Sequence, residues 1–280
     1  VTGPSRRQIL VGGAAVAALP VGGAAWMFGV EPGWLEVTSH QVAIAGLPRP
    51  LAGLRIVQIT DVHLHGVHRA ARAVAAALHA HRPDVIVLTG DLVDAAATLP
   101  ELTAWLRDFP ACKAMFASLG NWEHWGDVPR PALEAACARA GAELLVDRSA
   151  SITVDSARVR VIGFEDAAGR PDPTTALRDP DGDARLWLAH QPGFVDALAT
   201  PAARLQTPPP HLILAGHTHG GQVDAPWGAL VTPPGSGRYV AGWYNTPAGR
   251  MYVSRGVGTS VVPARLMARP ELALFTLEPA

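Results

Sequence analysis

Seven side chains with hard metal-ligand chemistry fall in short stretches of this sequence: Asp61 and His63 in TDVH, Asp91 in GDL, Asn121 in GNW, His190 in AHQ, and His217 with His219 in GHTHGGQ. Carboxylate, amide and imidazole donors without a thiolate suit Mn, Fe or Zn better than Cu(I) or an iron–sulfur cluster. A set this large serves two ions, and the chemistry of such a pair is phosphoryl transfer. Divalent ions about 3.5–4 Å apart steady both the attacking and the leaving oxygen of an in-line displacement. Water bound beside them loses its proton near neutral pH, so a hydroxide nucleophile arises without any serine or cysteine. Asp91 is the natural bridge, having two oxygens and no partner ligand beside it in the chain. In an extended segment residues i and i+2 point the same way, so His217 and His219 are expected to aim two imidazoles together. Two histidines in an exposed turn would give the same H-x-H pattern, and the other donors decide between the readings.

Buried strands must place these groups. The apolar runs LRIVQIT (54–60), DVIVLTGD (84–91) and KAMFASLGN (113–121) read as strands, separated by helical patterns over 67–81, 98–109 and 131–141. Such alternation predicts a mainly parallel sheet. The second half reads as a hairpin over 151–165, then strands at 185–191, 211–217, 250–256 and 272–278, with fewer helices. A second sheet with antiparallel pairs is expected there. Residues 34–48 read as one or two edge strands, and 224–249 as a Pro/Gly-rich loop that is a candidate wall of the site. The donors stand where five successive strands stop, and such strand ends are where open α/β sheets bind ligands.

D-x-H at 61–63, GD at 90–91, GN at 120–121, a lone His190 and GHxH at 216–219 resemble, in order and separation, the motifs of the calcineurin-like metallophosphoesterases. The likeness spans about 54–278; EP (31–32), GHTHGGQ, RGVGTS (255–260) and RPEL (269–272) make it similar to an exported, YkuE/YaeI-like branch. The resemblance implies an α/β fold, a four-layer αββα sandwich of two mixed β-sheets flanked by helices. It implies two divalent metal ions, one held by Asp61, His63, Asp91 and His219, the other by Asp91, Asn121, His190 and His217. The function it implies is hydrolysis of phosphate mono- or diesters by a metal-bound hydroxide, with a metal-binding envelope protein of little turnover as the alternative. The family's third motif, Gly-Asn-His followed by Asp or Glu, departs here to Gly120-Asn121-Trp122-Glu123-His124. An indole cannot supply a proton as an imidazolium does. His124 is the candidate to replace that acid, alongside Asp91 and Asn121 as catalytic residues.

Around this set, His65 and His68 are expected to line the mouth or cap the following helix. Trp125, Trp227, Trp243 and Tyr244 are candidate pocket walls, and Arg255 either faces a phosphate or makes a structural ion pair. With 280 residues, 49% hydrophobic and a net charge of −1, the chain is globular and has no electrostatic footprint for nucleic acid. Cys112 and Cys137 cannot make a cysteine metal site and read as core residues. No phosphate loop, serine elbow or dinucleotide fingerprint is present. Arg6-Arg7 ahead of a weakly apolar Ala/Gly run to Val30 has the pattern of a twin-arginine signal. Residues 1–30 are therefore expected to be a signal or anchor segment and 31–280 the metallophosphoesterase domain. The expected location is the periplasm or cell envelope, reached through the twin-arginine export machinery, with residues 8–30 as a membrane anchor if the segment is not cleaved.

Overall fold

The computed structural model describes residues 22–280 apart from Val67, Pro180 and Pro226. The twin arginine and most of the apolar run lie outside the described residues. Among those described, no helix is long and apolar enough to cross a membrane.

Two six-stranded sheets face each other. The first has the order β1-β14-β2-β3-β4-β5, from β1 (Glu36–Ile44), β2 (Arg55–Ile59), β3 (Val85–Thr89), β4 (Ala114–Ser118), β5 (Ala142–Leu144) and β14 (Glu271–Pro279). The second runs β12-β13-β9-β8-β7-β6, from β6 (Arg148–Val154), β7 (Ala157–Gly163), β8 (Ala184–Leu188), β9 (Leu212–Ala215), β12 (Gly242–Thr246) and β13 (Gly249–Val253). A two-residue pair, β10 (Asp224–Ala225) with β11 (Gly228–Ala229), stands apart from both.

Alternation along the strands builds three cores. Val85 and Val87 of β3 face Leu186 and Leu188 of β8 between the sheets, while Ile86 and Leu88 turn outward. The outward face of the first sheet is covered by α1 (Arg69–His81), α2 (Leu99–Arg107) and, past the short α3 (Asn121–Trp125), α4 (Arg130–Ala138). Trp187 and Ile213 turn the other way, against α5 (Thr174–Leu177) and α6 (Pro192–Arg204). Burying each such Val, Leu or Ile contributes roughly 1.5–3 kcal/mol, which is why continuous apolar runs become central strands. The layering is the expected αββα sandwich.

Helix α1 illustrates the local logic. Its alanines favour the helix, and Ala70, Ala71, Val74, Ala75 and Leu78 form the buried stripe. His68 caps its start by accepting from the Ala71 N–H at 3.3 Å. Arg82 ends it in a left-handed conformation (φ 45°), just before Pro83.

The second sheet has the expected antiparallel pairs, but only at its two edges. β7, β8, β9 and β13 are all parallel, and only the outer pairs β6–β7 and β12–β13 are antiparallel. The sequence understated this because its crossovers after β7 and β9 are long and carry little helix. Strand β12 lies inside the segment read as loop; its residues GWYNT are half-buried at a sheet edge and carry no apolar run.

Candidate metal centre

All seven donors sit just beyond the C-terminal ends of β2, β3, β4, β8 and β9, and each is at most 4% exposed. The two sheets are tied together under them by Gln58, whose amide donates to Thr89 Oγ1 and to the Ala215 carbonyl, both at 2.9 Å. The loops after β2 and β3 are laced by Asp61 N–H to Gly90 O (3.1 Å) and His63 N–H to Asp91 O (3.0 Å).

The backbone is strained where the donors are. Asp61, His63, Asp91, His217 and His219 all have φ between 46° and 73°. For residues other than glycine such conformations cost roughly 1–3 kcal/mol each and persist only when the surroundings over-determine them. The GHTH stretch is thus a turn rather than an extended segment, and its two histidines go to different clusters, as the resemblance implied and the i, i+2 spacing did not. Glycine permits the crowding. A Cβ on Gly216 would lie 2.1 Å from Thr60 Oγ1 and 2.4 Å from Asp61 Oδ2, and Gly90, at φ 86°, would meet the Gly120 backbone at 2.7 Å.

Ligand atoms gather into two triads, Asp61 with His63 and His219, and Asp91 with His190 and His217; within each they lie inside 4.8 Å. Asp91 reaches toward both, with Oδ2 3.2 Å from His190 Nε2 and 3.7 Å from His63 Nε2. Asn121 Oδ1 joins the second triad, 3.1 Å from His190 Nε2 and 2.8 Å from His217 Nδ1.

The ring tautomers make these sites fit a cation. His190 Nδ1 lies 2.8 Å from Thr89 O and His217 Nε2 lies 2.8 Å from Pro234 O. A carbonyl only accepts, so those nitrogens hold the protons. In their neutral form the rings turn bare nitrogens toward Asn121 Oδ1 and Asp91 Oδ2. His63 Nδ1 donates to Asp94 Oδ1 at 2.7 Å, leaving its Nε2 facing His219 Nε2 at 3.1 Å. Lone pairs that converge in a dry site need positive charge among them.

The electrostatics agree. Burial opposes charge on His190, yet the carboxylates of Asp91, Asp61 and Asp166 together outweigh it and raise its pKa well above the ordinary value. His63 is likewise raised, burial being overcome by Asp94, Asp91 and Asp61. Burial and then the neighbouring His190 lower His217 to about 4, and burial with His63 holds His219 well below normal. Asp91 falls to about 2, because His190 and His63 outweigh the burial that would raise it. The second protons that the carboxylates draw onto His190 and His63 answer the same demand for positive charge that a cation would meet, while His217 and His219 stay neutral with lone pairs to donate.

Several supporting groups had only faint sequence signals. Glu123 accepts from the N–H groups of Gly120, Asp91, Leu92 and Val93 at 2.6–3.2 Å, fastening the loops after β3 and β4 together. Its position matches the acidic residue of the third motif. Burial and the Asp91 charge raise its pKa to about 7 against the pull of those N–H donors. Asp94, three residues beyond Asp91, orients His63 and also pairs with His65 Nε2 at 2.7 Å. Arg265, buried among carbonyls, places a guanidinium nitrogen 3.4 Å from His219 Nδ1.

Other expectations resolve differently. His124 turns to Glu165 Oε1 at 2.9 Å and does not line the cavity, so its imidazole is not poised over the triads. The side chain that does line it is Trp122, edge-on to His63 at 5.5 Å, with its backbone N–H on Asp91 Oδ1 at 2.8 Å. Arg255 makes the structural ion pair, 2.7 Å from Glu36. Trp243 packs with His40 and Tyr252, and Tyr244 accepts from Val240 N, both away from the cavity. Trp125 does wall the site, as do Leu230, Val231, Pro233 and Pro234 from the segment expected to do so. Cys112 and Cys137 are free.

The calcineurin-like phosphoesterase profile matches residues 54–221, which hold all seven donors. This chain belongs to that family. It is 32% identical to the metallophosphoesterase YkuE of Bacillus subtilis (strain 168), over 98% of both chains. It is 30% identical to the phosphodiesterase YaeI of Escherichia coli (strain K12), over 98% of this chain and 99% of the relative. The UDP-2,3-diacylglucosamine pyrophosphatase LpxG of Chlamydia trachomatis is 26% identical over 93% and 94%. Among solved structures, a 5'-nucleotidase precursor from Thermus thermophilus aligns with a TM-score of 0.45 at 15% identity, over 80% of this chain and 55% of that one. The protein is a hydrolase acting on phosphate ester bonds, with two clusters suited to divalent metal.

Proposed function

We propose that the chain is an exported, two-metal phosphoesterase acting on phosphate mono- or diesters. The observation that carries this is the convergence of bare histidine nitrogens and carboxylate oxygens on two adjoining points, with Asp91 reaching both. Asp61, His63, Asp91 and His219 would hold one ion and Asp91, Asn121, His190 and His217 the other, drawn from Mn, Fe and Zn. Such a pair, when bound, activates water and neutralises charge on the phosphoryl oxygens.

The chain's own residues supply the rest. Asp61 fixes the turn of GHTH by taking the His217 N–H on both oxygens at 3.0 Å. Thr89 O and Pro234 O hold the two rings of the second triad in the donating tautomer. Gln222 bonds the Ser260 and Val262 backbones, shaping one wall. Besides the triads, Trp122, Gln222 and Ser260 line the cavity, and none is an acid. The arrangement therefore favours esters whose leaving group departs without protonation. Trp122 also supports the second reading, a metal-holding envelope protein with little turnover. Export rests on Arg6-Arg7 and the apolar run, with residues 1–30 as signal or anchor and 31–280 as the catalytic domain.

The test is hydrolysis of bis(p-nitrophenyl) phosphate by the full chain, with and without Mn²⁺, beside Asp91→Ala, together with metal counting by mass spectrometry. Metal-dependent turnover lost in the variant is expected. Two metals per chain with no turnover would favour the second reading, and no bound metal would sink both.

A further inference from the structure

Large apolar side chains that stand in solvent are normally scattered. Here they are gathered. The exposed ones among the described residues are Trp26, Phe28, Val30 and Trp34 at the N-terminal turn, Trp125 after the third motif, Trp227, Leu230 and Val231 around β11, and Val261, Val262 and Met267. Trp125, Leu230, Val231, Val261 and Val262 line the site, and Trp26 and Phe28 flank Met27, which does. The cavity over the triads, about 610 Å³, is walled by Met27, Trp125, Leu230, Val231, Val261 and Val262 among others.

The N-terminal turn is bolted to this rim. The Met27 carbonyl accepts from Arg265 N at 2.9 Å. Glu31 takes the Trp26 indole N–H at 2.8 Å and the Ala268 N–H at 2.9 Å. Arg269 stacks on Trp34 at 4.0 Å. In the sequence, the residues that precede this turn are apolar and uncharged back to Ile9. Four of the chain's eight tryptophans are exposed: Trp125 lines the cavity, Trp26 adjoins the lining residue Met27 and packs on Trp34, and Trp227 stands on the segment that carries Leu230 and Val231. Tryptophan, with an apolar ring and one N–H, is enriched at the boundary between lipid and water. A rim of Trp and Val joined to an apolar segment fits a bilayer better than a polar protein partner, whose interfaces pair charges and hydrogen bonds at their edges.

We infer that the rim of the cavity seats in a lipid bilayer, and that the phosphate ester taken in belongs to an amphiphile whose apolar chain lies along the Leu230, Val231, Val261 and Val262 wall. The second half of this inference rests on the phosphoesterase reading; the first does not. Seated so, the triads open at the depth of lipid phosphates, and a substrate reaches them by lateral movement without leaving the membrane.

Two measurements on the full chain in phosphatidylcholine/phosphatidylglycerol vesicles test this. Brominated acyl chains in the vesicles should quench tryptophan emission, and Trp227→Phe should remove a measurable share of that quenching. Trp227 is 84% exposed and remote in sequence from the apolar segment, so an anchor alone does not account for its quenching. Equal quenching in both proteins would overturn the docking, whether residues 1–21 or a second copy covers the rim instead. In the second measurement, a dialkylglyceryl p-nitrophenyl phosphate held in the vesicles is compared with soluble bis(p-nitrophenyl) phosphate. Trp227→Ser/Met267→Ser should lower hydrolysis of the embedded ester fivefold or more and leave the soluble ester within twofold. A parallel loss on both esters, or none on either, would overturn the substrate class. Turnover of neither ester, with Trp227 still quenched, would remove the phosphoesterase reading and keep the docking.

Discussion

On the floor of the cavity the donors are at most 4% exposed, five have left-handed backbones, and nearly every polar atom has a fixed partner; on the rim, Trp227, Val231 and Val261 are 84, 75 and 88% exposed. The floor is held in place against local preference, whereas the rim leaves apolar surface in water that burial would stabilise. Each region is costly by itself, and the two costs have different causes. The floor concentrates carboxylates and imidazoles for a cation that offsets them. The rim keeps its apolar area free for something that covers it.

The sharpest way to break this comparison is Asp91→Ala, because one oxygen of Asp91 faces a histidine of each triad. Turnover should fall by on the order of 10²–10³-fold or more, with loss of bound metal measured on the same sample. A small effect would mean that the two triads do not act as one centre, and the floor would then be no more over-determined than the rim.

Glu123→Ala comes next and acts on stability. Four buried N–H groups lose their acceptor, and the loss should be roughly 3 kcal/mol or more by urea unfolding. Trp227→Ser, on the rim, should leave the urea midpoint nearly unchanged. Comparable losses at the two positions would erase the distinction between a fastened floor and a free rim. Asp94→Ala should cost less, about 10–100-fold in metal affinity by competition with a chelator, since it removes only the group that orients His63.

Much of the floor was legible from the chain, because a donor at the end of an apolar run must arrive at one end of a sheet. Asp61, Asp91, Asn121 and His190 follow from that rule alone. The split of the GHTH histidines between the two triads came from the motif resemblance and is found as implied; the i, i+2 spacing by itself pointed the other way, because it conceals the left-handed turns at His217 and His219. Glu123 showed only as a motif position, for its four N–H partners come from loops some thirty residues apart. Strand β12 was hidden by its half-buried, mixed composition, and the parallel centre of the second sheet by its long crossovers. The rim was legible only in part: Trp125 and the 224–249 loop stood out as candidate walls, whereas Val261 and Val262 join them in one cavity only through the fold.

His124 offers the finest test, because the sequence assigned it to the floor and the structure sets it beside Glu165. That carboxylate's hydrogen bond raises the imidazole pKa above its ordinary 6.5, with burial opposing. A folded value above the unfolded one means the pair's stabilisation is fully present below 6.5 and is lost as pH rises through the folded value. His124→Ala should therefore destabilise the protein by about 1 kcal/mol at pH 6 and by less at pH 9, measured by thermal unfolding. Turnover of aryl esters should stay within about threefold of the parent. A loss nearer the 10²- to 10⁴-fold expected for a missing general acid would show that the ring leaves Glu165 during the reaction and works over the triads after all. The Tm difference and the rate separate these cases: a structural pair moves the first with pH and spares the second, while a swinging acid moves both.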